Sequence, residues 1–76
     1  MRKCVSKSKA KCLSKGEIIR YNKNIYEVLI VFIGNDIRAR CIQIDVNDGI
    51  IVDYHGLIKT IVLRFNDEYE YLTWED

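Results

Sequence analysis

The sequence predicts an all-β fold, a small SH3-like barrel of five to six short antiparallel strands preceded by a basic arm. Turn-forming Asn, Asp and Gly recur from Gly16 onward, at the spacing of roughly 8–12 residues that marks small sandwiches and barrels. The stretches between them are rich in Ile, Val and Tyr, which fit a pleated, half-buried surface. No segment beyond residue 16 sustains a 3.6-residue apolar period. The helix that an OB-fold inserts between its third and fourth strands is therefore missing, which favours the SH3-like alternative.

The chain divides into an arm, residues 1–15, and one barrel domain, residues 16–76. The arm carries Arg2, Lys3, Lys7, Lys9, Lys11 and Lys15 and no acid. As a strand it places Val5, Lys7, Lys9, Lys11, Leu13 and Lys15 on one side. As a helix it stacks Lys3, Lys7, Lys11 and Lys15 at i, i+4, and each such like-charge pair costs about 0.2–0.5 kcal/mol. The arm is thus expected to be mobile or ordered by a partner, with Leu13 tucked onto the body.

Within the barrel, residues 17–21 form a short strand and 22–24 a turn. Residues 25–33 are apolar on both faces and predict a central, covered strand. Residues 34–36 turn again. In the strand 37–46 the apolar positions change phase: Ile37, Ala39 and Cys41 are followed by Ile42, Ile44 and Val46. A flip of this kind inside a strand signals a β-bulge or sharp bend. Asn47, Asp48 and Gly49 are a hairpin signal. Residues 50–54 and 57–65 read as two strands separated by a turn at His55 and Gly56. Asn66 and Asp67 turn into a last strand, 69–74.

A chain of 76 residues holds one domain. It buries only about 60% of its unfolded surface, so little remains for a deep catalytic pocket, and self-association would add stability. No enzyme is expected. Hydrophobic residues make up 49% and charged residues 30%, an ordinary globular balance. Three cysteines, an odd number, with no apolar signal segment behind the basic start, read as reduced thiols in the cytoplasm. The longest apolar run, residues 28–33, is far too short to span a bilayer. The bias toward Ile, Lys and Asn with no Pro fits an AT-rich source, such as a low-GC bacterium or its phages.

Charge is segregated along the chain. The arm is basic, whereas Asp67, Glu68, Glu70, Glu75 and Asp76 close the sequence without a base among them. Lys3, Lys7, Lys9, Lys11 and Lys15 form a candidate phosphate-binding stripe. They also match the acids Asp67, Glu68 and Glu70, in the same chain or a second copy. Arg38 and Arg40 share one strand face. Beside Tyr21 or Tyr26 they would make a basic, aromatic platform for bases; paired with Glu17 or Glu27 they would be an ordinary exposed face. Tyr69, Tyr71 and Trp74 stand among acids on the last strand, a candidate protein-docking edge.

Other constellations are weaker. Cys4, Cys12, Cys41 and His55 offer zinc-type donors but no C-x-x-C spacing. Cys41, His55 and Asp53 lack any nucleophile-elbow context. The run from Asp45 to Gly49 resembles a calcium loop only faintly and is better explained as a hairpin turn. No metal and no cofactor are expected. The whole predicts a non-catalytic binding module. Its first reading is nucleic-acid binding through the lysine arm and the Arg38–Arg40 face. Its alternative is docking on a host protein through the acidic aromatic strand. The net charge of +1 is low for a nucleic-acid binder.

Overall fold

The computed structural model describes residues 1–76, which fold as six strands and one short 3₁₀ turn. The strands are β1 (Arg2–Lys9), β2 (Ile18–Tyr21), β3 (Asn24–Ile33), β4 (Ile37–Asn47), β5 (Ile50–Leu63) and β6 (Glu68–Glu75), with the 3₁₀ turn at Ala10–Cys12 between β1 and β2. They make one antiparallel sheet in the order β1-β6-β2-β3-β4-β5. The all-β expectation holds. The sheet is not closed: β1 and β5 are its two edges and do not pair with each other.

The basic segment differs from the expectation of a mobile arm. Residues 2–9 are β1, in continuous register with β6 from Arg2↔Glu75 to Lys9↔Glu68. The alternation of lysines with Cys4, Ser6 and Ser8 is an edge-strand pattern, since charged side chains on one face protect a free edge. Beyond it, Ala10 N–H donates to Asp67 O at 2.7 Å, and Ala10 and Leu13 are buried in the core.

Two hairpins follow the expected turn chemistry. Asn22 and Lys23 (φ 48° and 68°) lie between the paired residues Tyr21 and Asn24. Asp48 and Gly49 (φ 49° and 78°) lie between Asn47 and Ile50. Two successive left-handed residues define the type I′ turn, whose twist matches that of the flanking strands.

The turn expected at His55 and Gly56 is absent. β5 runs unbroken from Ile50 to Leu63. Gly56, at φ 69°, serves a bulge instead: the register passes from Gln43↔His55 to Cys41↔Lys59, so residues 56–58 face Ile42 alone. Leu57, at the crest of this bulge, is 91% exposed. The phase change read at Cys41 falls at this slip. Cys41 and Ile44 are both buried; three residues apart on β4, they face opposite sides of the sheet, while the extra residues of the slip lie on β5.

One face carries the main core, formed by Ala10, Leu13, Ile19, Tyr26, Val28, Ile37, Ala39, Cys41, Ile61 and Tyr69. Ile44 and Leu72 are buried apart from it. On that second side the β4–β5 turn rests on Trp74: a Cβ added at Gly49 would lie 3.3 Å from the Trp74 Cβ and Cγ atoms. β3 is central, as expected, but it is not covered on both faces. A ladder shift between Val28 and Ile30 turns Ile30 and Phe32 outward, and both are exposed.

Candidate binding surface

The lysines do not form an isolated stripe. Lys3, Lys7 and Lys9 share the outward face of β1 and stand opposite Trp74, Glu70 and Glu68. Arg2 is bridged to Glu75 at 3.2 Å, and Lys9 donates to Asn66 O at 3.4 Å. Glu70 accepts from Arg20 in a two-point contact of 2.7 and 3.4 Å. That hydrogen bond, with the charges of Arg20 and Lys7, holds the Glu70 carboxyl below its ordinary range. Lys7, Glu70 and Arg20 thus form one row across β1, β6 and β2. Lys11 lies in the 3₁₀ turn and Lys15 precedes β2, both exposed. Charges segregated along the chain are interleaved in space.

Arg38 and Arg40 are outward on β4, with Phe32 and Val62 flanking Arg38, and Ile30 and Thr60 flanking Arg40. Phe32 is 49% and Val62 51% exposed. Arg38 bonds to Asp36 at 3.1 Å; Arg40 has no salt bridge. The aromatic beside the pair is therefore Phe32. Tyr21 and Tyr26 belong to the core side, where Lys59 Nζ lies 5.7 and 5.9 Å from their ring centroids. Neither Glu17 nor Glu27 pairs with the arginines. Sequence reading did not single out Phe32, Ile30 or Val62, because the doubly apolar β3 pattern implied cover on both sides.

The basic groups of β1 and β4 are held apart. β6, β2 and β3 lie between them, and four strand spacings amount to roughly 19 Å. Glu70 and Glu27 stand on the intervening strands.

The last strand is not a docking edge. β6 lies between β1 and β2 and pairs with both. Tyr69 is buried, and Tyr71 and Trp74 are half-buried. The Tyr69 and Tyr71 rings stand 6.0 Å apart, tilted by 48°. Tyr69 donates to Glu17, and burial first, then that carboxylate, push its phenol upward.

The cysteine constellations are not assembled. Cys41 is fully buried, its thiol pushed up to about 11 by desolvation. His55 is exposed and instead meets Asp45, whose carboxylate raises the imidazole pKa by hydrogen bond and charge. The group close enough to share a metal ion is Asp45, Asp53 and His55, and it includes no cysteine. The register creates this cluster, since Asp45 and Asp53 are direct cross-strand neighbours.

No family model, curated protein or solved structure matches the chain in comparison. No helix is long and apolar enough to cross a membrane.

Proposed function

We propose that the chain is a non-catalytic binding module that docks on another protein through the outward face of β3, β4 and β5. One observation carries this reading. Arg38 and Arg40 stand among exposed Ile30, Phe32 and Val62 on the outward face of the sheet. Arginine with aromatic and aliphatic side chains is the composition of protein interface cores. A contiguous exposed apolar patch on a small domain marks such a site. Arg40, unpaired within the chain, calls for a carboxylate on the partner, which its planar fork would hold by two hydrogen bonds.

The cross-strand pairing of Phe32 with Arg38 favours a second reading, single-stranded nucleic acid. A base stacks on such a ring while the guanidinium meets the phosphate. The lysine edge would extend that track only past Glu70 and Glu27, which weakens it. The SH3-like barrel reading rests on strand number and on the β4–β5 turn folding back over Trp74. The cytoplasmic reading rests on the unpaired number of thiols.

Affinity capture from a host extract, with wild-type, Phe32→Ser and Arg40→Glu chains in parallel, tests the proposal. It requires a protein retained by wild type and lost by both variants. Fluorescence anisotropy with labelled oligonucleotides at low salt separates the second reading. Oligonucleotide binding that fails in Arg40→Glu and weakens steeply with salt selects nucleic acid. Unchanged capture by both variants removes this face from consideration.

A further inference from the structure

Asp45 and Asp53 stand directly opposite each other in the β4–β5 ladder. Like charges in that relation destabilise an antiparallel pair. His55, two residues beyond Asp53 and so on the same face, is opposite Gln43. Its Nε2 atom is 2.5 Å from Asp45 Oδ2. Taking one ligand atom from each residue, the three lie within 4.8 Å of one another. We propose that Asp45, Asp53 and His55 form a binding site for a divalent transition-metal ion of the zinc class.

The donor set selects the metal. Two carboxylate oxygens and one imidazole nitrogen suit Zn²⁺, Co²⁺ or Ni²⁺; a soft Cu(I) ion wants thiolates, and Ca²⁺ and Mg²⁺ prefer oxygen throughout. Donors bound at about 2.0–2.2 Å in a tetrahedron lie about 3.4 Å apart. To admit an ion, the hydrogen-bonded His55–Asp45 pair, at 2.5 Å, must part, and any donor pair near the 4.8 Å limit must close; all three side chains are exposed and free to rotate. Three protein ligands leave a position for water.

The backbone frame is built for these residues. The ladder is unbroken through the cluster, from Gln43↔His55 through Ile44↔Tyr54 to Asp45↔Asp53, and slips on either side of it. Asp53 Oδ1 is already fixed by the Tyr54 N–H at 2.9 Å, which orients the carboxylate and leaves its second oxygen to bind. Immediately after His55 the left-handed Gly56 opens the bulge, which ends the regular ladder beside the imidazole. A bound dication removes the repulsion between the two aspartates.

The test is titration of the full chain with Zn²⁺ by calorimetry and with Co²⁺ by visible absorption. A Cys4→Ser/Cys12→Ser background excludes the two accessible thiols. His55 is the sole histidine, so its imidazole NMR signals report one site without ambiguity. The expected result is one ion per chain, with the His55 resonances shifted by Zn²⁺. Affinity should fall by at least about tenfold, some 1.4 kcal/mol, in both His55→Ala and Asp53→Asn. Asp53→Asn relieves a like-charge contact and keeps the side chain's shape, so its amide spectrum checks that the fold persists. No binding at millimolar Zn²⁺ overturns the proposal. So does binding that survives both substitutions, or that disappears with the two cysteines.

Discussion

Tyr69 donates its hydroxyl to both carboxylate oxygens of Glu17, at 2.9 and 3.0 Å. Glu17 Oε1 also accepts from Ser14 N–H at 2.6 Å, and Glu17 O accepts from Val28 N–H at 2.9 Å. One residue outside any strand therefore fastens the segment after the 3₁₀ turn to β3 and to β6. Hydrogen bonds to a charged group contribute about 1.5–3 kcal/mol. Tyr69→Phe should lower unfolding free energy by an amount in that range, because it leaves a partly buried carboxylate short of a donor. Urea denaturation measures it. A loss below a few tenths of a kcal/mol would mean that water replaces the phenol.

The Arg20–Glu70 pair predicts an acid-sensitive sheet. Arg20 lowers the Glu70 pKa in the folded chain below its ordinary 4.5. A carboxyl whose folded pKa is depressed adds stability above its unfolded value and loses it as pH falls through the folded one. Stability should therefore decline as pH drops from about 4.5. Glu70→Gln should be less stable than wild type near neutrality and should show a shallower decline below that point. Denaturant midpoints recorded across the acid range decide the matter; parallel curves for the two proteins would count against the pairing.

The three thiols should react in order of access. Cys12 is exposed, Cys4 intermediate and Cys41 buried, and the Cys41 pKa stands at about 11. Since the thiolate is the nucleophile, a thiol reagent near neutral pH should modify Cys12 first and Cys41 only on unfolding. Peptide mapping after timed labelling reads this. Early modification of Cys41 would show that the core side opens readily.

Local chemistry was the legible part of this sequence. Asn22 and Asp48–Gly49 announce left-handed turns by residue type, and the phase change at Cys41 announces a slipped ladder. What the sequence concealed depends on pairing between distant residues. Lys7 meets Glu70 and Arg2 meets Glu75 only because β1 lies beside β6, so the basic segment read as a free arm. Gly56 adopts the same positive φ in a bulge as in a turn, which is why one long strand read as two. Phe32 looked like core because β3 is apolar on both faces, and nothing local says that its outward end is left uncovered. Asp45, Asp53 and His55 carried no shared motif; register alone unites them.

The adjacency of β1 and β6 orders events in time as well as in space. β1 is made before β2 to β5 and finds its partner only in β6, so it must wait, unpaired, while they are made. Ala10 and Leu13 wait with it, since Tyr69 of β6 belongs to the same core. Contacts between residues so far apart in sequence close slowly. A ribosome stalled before Glu68 would hold a β2–β5 meander with two raw edges, one of them Ile18–Tyr21, which is the kind of surface that chaperones engage.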